Sequence, residues 1–213
     1  MKYKNLLYEK TGMCKDWQLN KLPKVDTLID IGVGELGTNE LYDAFPESKV
    51  ILIDPRIESK ACTKNFPKDR EWRFFPYGLG SSPGKMNLNI YESKALSSFL
   101  EANEINFLDK PNETRRVEIK TLDNLVYNEI IGSTIGIKID TEGFELEIIK
   151  GSSQTLTKTE FVLAEVRHNH ESLKGVYQLH EFMNEMSKNG FVLTNIFSAK
   201  PFIADLVFRP IKV

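Results

Sequence analysis

Short apolar, β-branched runs alternate along the chain with longer amphipathic stretches, the pattern of strand–helix–strand units that build a mostly parallel sheet. Thr27–Ile31 has the length and bounded ends of a buried strand, between Asp26 and Gly32. Residues 38–45 read as a helix stopped by Pro46, and Lys49–Ile53 as a second strand broken by Pro55 directly after Asp54. Trp72–Phe75 is a third strand, and 86–91 and 116–120 alternate as smaller, half-exposed strands do. A buried strand at 134–139 ends at Asp140, a helix follows over 144–150 with Gly151 closing it, and 161–166 is the next strand. Helical spacing of Val176, Leu179, Phe182, Met183 and Met186 predicts a helix over 175–189 with Gly190 as its cap. Residues 191–196 and 203–208, either side of a loop with Pro201, pair antiparallel. The expected architecture is α/β: a mostly parallel central sheet with helices on both faces and an antiparallel strand pair at its C-terminal end.

Between the first strand and the first helix lies Asp30-Ile31-Gly32-Val33-Gly34-Glu35-Leu36-Gly37, a G-x-G-x-x-G turn in the context that gives that motif meaning. Glycines allow a tight turn and close approach of backbone to a ligand, and N–H groups there attract a carboxylate or a phosphate. Asp54 ends the second strand, where a carboxylate can accept hydrogen bonds from both hydroxyls of an adenosine ribose. Turn and acid together imply a nucleoside cofactor, and these features alone admit either a nicotinamide dinucleotide or S-adenosylmethionine.

The 213 residues suit one core, with an N-terminal extension over 1–25 and a catalytic domain over 26–213. Neither half carries a strong charge excess, and the net charge of −2 lacks the basic surface a nucleic-acid partner needs. No apolar stretch approaches the roughly 20 residues that span a bilayer. The first fifteen residues lack the apolar core of a secretory signal, so a cytoplasmic location is the default expectation. Cys14 and Cys62 are too few for a disulfide framework or a thiolate metal site and are expected to stay reduced, with a single bridge between them the alternative that the sequence leaves open.

The stretch 137–147, Ile-Lys-Ile-Asp-Thr-Glu-Gly-Phe-Glu-Leu-Glu, with Lys150-Gly151 after it, resembles the K-I-D-x-E-G-x-E and K-G motif of FkbM-type methyltransferases. Thr121-Leu122-Asp123-Asn124-Leu125 is similar to that family's T-L-D-x-L segment, and Glu165 to its strand-terminal glutamate. The resemblance covers about residues 27–208. It implies a Rossmann-like class I methyltransferase fold, S-adenosylmethionine held by Asp30, Gly32, Gly34 and Gly37, and its ribose held by Asp54. The family usually has Ala-Asn where this chain has Val33-Gly34, which removes a side-chain amide, and Glu-Pro where it has Asp54-Pro55, which keeps the carboxylate. After the third strand, 75–80 offers no acid for adenine, so backbone groups at Gly78 and Leu79 must read the base.

The reacting groups of an open α/β sheet cluster beyond the carboxyl ends of its strands. Asp140, Glu142, Glu165, His168 and His170 all fall there. Asp140 and Glu142 are candidate catalytic acids, though Glu142-Gly143 could equally cap the next helix. His168 is a candidate general base, against the alternative of a solvated loop histidine. Asp140 and Glu142 with Glu165 or a histidine could instead hold a divalent cation, but no compact ligand motif is present and no metal is expected. Ser97 and Ser98, similar to a family serine pair, contact cofactor or acceptor, or simply start a helix. The expected activity is transfer of a methyl group from S-adenosylmethionine to an oxygen of a small molecule, with a sugar or glycan hydroxyl suggested by the resemblance. A nicotinamide-dependent dehydrogenase and a non-catalytic nucleoside-binding module are the alternatives. Expected partners are the small-molecule or glycan acceptor and, as an option, a second copy of the chain; no nucleic acid and no membrane is expected. Residues 84–111 lie outside the regular alternation and are expected to carry acceptor specificity.

Overall fold

The computed structural model describes residues 16–103, 110–126, 129, 132–168 and 173–211. In chain order the elements are α1 (Asp16–Leu19), β1 (Thr27–Ile31), α2 (Asn39–Ala44), β2 (Lys49–Ile53), a 3-10 helix at Ile57–Asn65, β3 (Trp72–Phe75), β4 (Gly78–Leu79) and β5 (Gly84–Ile90). A short 3-10 turn at Lys94–Leu96 follows, then β6 (Glu113–Lys120), α3 (Leu122–Val126), β7 (Ile135–Ile139), α4 (Glu145–Lys150), α5 (Ser153–Leu156), β8 (Thr159–Arg167), α6 (Leu179–Lys188), β9 (Phe191–Ala199) and β10 (Ile203–Pro210).

Seven strands form the main sheet in the order β3-β2-β1-β7-β8-β10-β9. β3, β2, β1, β7 and β8 run parallel, and β10 pairs antiparallel with both β8 and β9. Chain order reverses direction across the sheet between β1 and β7, so a cleft opens where their carboxyl ends part. β1, β2 and β7 are buried along their whole length, as strands covered on both faces must be. Alternate residues serve two cores. Ile29, Ile51 and Ile137 pack with Leu125, Ile148 and Phe182 on one face, while Leu28, Val50 and Leu52 pack with Leu41 and Phe45 on the other. Leu19, Leu22 and Val25, ahead of β1, belong to the second of these cores.

β4, β6 and β5 form a separate three-stranded sheet in that order, around Leu88, Ile90, Val117 and Ile119. The strands expected at 86–91 and 116–120 are thus partners of one another, antiparallel and longer than their apolar alternation alone suggests. The helix expected over 175–189 begins only at Leu179. Gln178 is extended and its N–H donates to Glu181 Oε2 at 2.7 Å, which fixes the start, and Gly175 turns the chain at φ +75° before it. Gly190, at φ +80°, ends this helix as expected. Among the described residues, no helix is long and apolar enough to cross a membrane.

Candidate active site

A cleft of about 680 Å³ lies over the carboxyl ends of β1, β2, β7 and β8, walled on its outer side by the segment around Lys94–Phe99. Its size is that of a site for a small molecule or cofactor. Gly32, Gly34, Gly37, Asp54, Gly78, Leu79, Asp140 and Glu142 all line it, so most of the residues singled out from sequence come together there. Asp30 and His168 are not among the lining residues.

The glycine turn is wound through the left-handed region, and only some of its positions forbid a side chain. Gly32, Gly34 and Gly37 have φ of +80°, +58° and +68°, in the left-handed region. A Cβ on Gly32 would sit 1.8 Å from the Asp140 carbonyl oxygen, so the β1 turn and the β7 end touch through backbone alone. At Gly34 the nearest atom to such a Cβ is Arg56 Nη2 at 3.9 Å, leaving open space on the cleft side.

Asp54 is buried and well used. Its Oδ2 accepts from the Gly34 N–H at 2.9 Å and its Oδ1 from the Arg56 N–H at 2.8 Å, with Arg56 Nε at 3.5 Å. Burial pushes the carboxyl up from its ordinary value, while the Arg56 guanidinium and the two N–H groups pull it back. Gly78 and Leu79 are β4, their backbones paired in parallel with Ile119 and Lys120, and both are buried at the cleft wall. A Cβ on Gly78 would lie 2.5 Å from Ile119 and 2.6 Å from Phe99, so the wall closes tightly there. A buried acid at a strand end, a turn cleared of side chains and apolar walls at Ile53, Pro55 and Leu79 fit a nucleoside with an amino-acid tail.

Asp30 lies beneath this wall, fully buried. Its Oδ2 accepts from the Tyr42 hydroxyl at 2.5 Å and its Oδ1 faces Lys138 Nζ at 3.4 Å. Lys138 is paired across the sheet with Asp30 by strand register and reaches on to Asp140 Oδ2 at 3.3 Å. Burial works to lower the Lys138 pKa, but the Asp30 and Asp140 charges win and hold it above its ordinary value. A buried cation thus bridges the acid under the glycine turn and the acid at the end of β7.

Glu142 has φ +54°, a left-handed conformation rare for a glutamate. Its carboxylate forms an ion pair with Arg167, and its carbonyl accepts from Ser98 Oγ at 2.7 Å. It does not cap α4, whose N-cap is Phe144. Glu145 organises the loop instead: its Oε1 accepts from the N–H groups of Thr141 and Gly143 and from Thr141 Oγ1, each at 3.0 Å, and its Oε2 from the Tyr177 hydroxyl at 2.8 Å. Ser97 and Ser98 start no helix. Ser98 is bridged to Asn89, and both serines line the cleft.

Asp140, Glu142 and Glu165 bring one carboxylate oxygen each to within 4.8 Å of one another. That is the set raised from sequence as a cation site, and Lys138 and Arg167 already set positive charge against two of its three members. Burial, together with the Asp140 and Asp205 charges, pushes the Glu165 carboxyl up to about 8. His168 is exposed at the end of β8, its Nε2 2.9 Å from the Lys200 carbonyl oxygen. His170 and Cys14 lie outside the described residues, while Cys62 is a free, buried thiol pushed up to about 11, first by burial and then by the Asp30 and Asp54 charges.

Sequence reasoning passed over Lys138, Arg56, Glu145, Arg167 and Tyr177. Lys138 and Glu145 stand inside the 137–147 motif, and Arg56 directly follows Asp54-Pro55, so position relative to those motifs was the available signal. Nothing local distinguishes Arg167 or Tyr177, whose partners are distant in the chain.

The sheet order and the placement of a cleft at the β1–β7 switch define a class I S-adenosylmethionine-dependent methyltransferase. The sequence matches the methyltransferase FkbM domain over residues 32–193, and the chain belongs to that family, whose methyl donor is S-adenosylmethionine. In structure it is similar to a precorrin-6y C5,15-methyltransferase from Geobacter metallireducens, with a TM-score of 0.50 and 8% identity, covering 97% of this chain and 95% of that one. It is also similar to a putative S-adenosylmethionine dependent methyltransferase from Listeria monocytogenes, with a TM-score of 0.50 and 9% identity, covering 92% of this chain and 98% of that one. At such identities the likeness is one of fold. No curated protein sequence matches the chain.

Proposed function

We propose that this methyltransferase acts on a hydroxyl oxygen of a small molecule, with a sugar or glycan hydroxyl as the acceptor. The observation that carries this reading is the convergence of the Asp140, Glu142 and Glu165 carboxylates in the same cleft as the glycine turn and Asp54. Carboxylates accept hydrogen bonds from hydroxyls, and neighbouring carboxylates suit an acceptor that presents several. Methyl transfer is an in-line displacement, so most of the catalysis is alignment of acceptor oxygen, methyl carbon and leaving sulfur.

In this reading Gly32, Gly34 and Gly37 make room for the amino-acid end of the donor, and Asp54 holds the ribose hydroxyls. Backbone at Gly78 and Leu79 lies along the base. Asp30 acts from below, through Lys138, to fix Asp140. Asp140 and Glu142 orient the acceptor hydroxyl. His168, exposed on the rim and outside the cleft wall, leaves proton handling to the carboxylates.

The test has two arms. Calorimetry with S-adenosylhomocysteine, and with NAD as comparison, checks the donor site: binding of the former alone supports it. Transfer of a radiolabelled methyl group is then measured to a panel of monosaccharides, glycosides and matched amines. Methylation confined to amine or carbon positions would sink the oxygen reading.

A further inference from the structure

The three clustered carboxylates are not equivalent. Asp140 is held by the Lys138 ammonium at 3.3 Å, and Glu142 by the Arg167 guanidinium. Asp205, directly across the strand pair from Glu165, is 2% exposed, its Oδ2 accepts from the Ser198 hydroxyl, and it does not line the cleft. Of the three clustered carboxylates, Glu165 alone has no hydrogen bond or ion pair to its carboxylate among the described residues, and it lines the cleft. It sits two residues before the end of β8, at the carboxyl edge of the sheet where the reacting atoms belong.

Resting on the oxygen-acceptor reading above, we propose that Glu165 is the residue that takes the acceptor's proton. As the oxygen–carbon bond forms and the carbon–sulfur bond breaks, the bonding electron pair stays on sulfur, and the hydroxyl proton passes to Glu165. The products are a methyl ether, S-adenosylhomocysteine and a neutral Glu165 carboxyl, which then releases its proton to water.

A general base works best when its pKa lies near the working pH. The groups facing Glu165 are Asp140 and Lys138 from β7, Glu142 from the loop after it, Asp205 from β10 and Lys200 from the β9–β10 turn. Burial, Asp140 and Asp205 raise the Glu165 pKa, and Lys200 and Lys138 lower it. Asp140 faces Lys138 and Glu142 is ion-paired with Arg167, so each already has a cationic partner.

The experiment follows the carboxyl carbons of 13C-glutamate-labelled protein by NMR through a pH titration, with S-adenosylhomocysteine bound and no acceptor needed. One resonance is expected to titrate near pH 8 and to vanish in Glu165→Gln. Its midpoint is expected to fall in Asp205→Asn, which removes a raising charge, and to rise in Lys200→Met, which removes a lowering one. Methyl transfer to an acceptor from the panel should show a rate limb that moves with those midpoints. Glu165→Gln should lose roughly 10²–10⁴-fold in kcat with little change in the KM for the donor. A Glu165 midpoint in the ordinary carboxylate range, or a Glu165→Gln enzyme that keeps its kcat, overturns the assignment. Methylation at nitrogen or carbon alone sinks the oxygen reading and this assignment with it, while an ordinary midpoint with oxygen transfer intact removes Glu165 only.

Discussion

The Gly34 N–H donates to the Asp54 carboxylate at 2.9 Å, so the turn after β1 and the acid ending β2 hold each other in place before any ligand arrives. In the proposed donor site the same carboxylate serves both the turn and the ribose.

Replacing Asp54 with alanine therefore removes two functions at once. Two hydrogen bonds, at about 1.5 kcal/mol each, correspond to roughly 100-fold weaker binding of S-adenosylhomocysteine. Calorimetry on Asp54→Ala and Asp54→Asn measures this, and an affinity within threefold of wild type would refute the role.

Gly32 and Gly34 separate two demands that look alike in the sequence. Gly32→Ala drives a Cβ into the Asp140 carbonyl and should cost about 3 kcal/mol or more, giving a poorly folded protein. Gly34→Asn restores the family's usual residue at φ +58°, a conformation asparagine accepts, into open space. Its Tm is expected to move by no more than about 3 °C, with S-adenosylhomocysteine bound at least as tightly. Thermal melts of both variants with and without ligand decide the matter.

Lys138→Met strips the shared cation from Asp30 and Asp140. Leaving a buried carboxylate unpaired costs about 3–5 kcal/mol, a fall of about 10 °C in Tm for a chain of this size. The double variant Lys138→Met with Asp30→Asn should recover part of the loss, because the stranded charge is gone. A double variant no more stable than the single one would count against the bridge.

The raised Glu165 pKa also has a sign in stability. Its folded value, about 8, lies above the ordinary 4.5, so the folded state binds the proton more tightly than the unfolded chain does. This contribution is complete below about 4.5 and is lost as pH rises through about 8. Over that window the wild-type Tm should fall more steeply with rising pH than that of Glu165→Gln. Parallel melting curves across the window would contradict the shift.

The sheet was legible because buried strands announce themselves: Thr27–Ile31 and Lys49–Ile53 are unbroken apolar runs with punctuated ends. That the glycine turn and Asp54 share one cleft was legible too, since one is a local turn and the other a strand-terminal acid. The contacts on its far side were less so. Arg167 meets Glu142 and Tyr177 meets Glu145 only through folding, and no spacing rule brings such distant residues together. Asp30 misled in the other direction: the motif places it beside the cofactor turn, but strand alternation turns its side chain inward to Tyr42 and Lys138. The start of α6 was misplaced because Val176 kept the helical rhythm while the chain there is still an extended lead-in.

Gly84–Ile90 form strand β5 of the small β4-β6-β5 sheet, and Ser98 is bridged back onto Asn89 of that strand. They reach the cleft through Leu88 and the Lys94–Phe99 segment, from a framework with its own apolar centre. Substitutions in this outer panel can thus reshape one wall of the cleft while the cores that bury β1, β2 and β7 keep their packing.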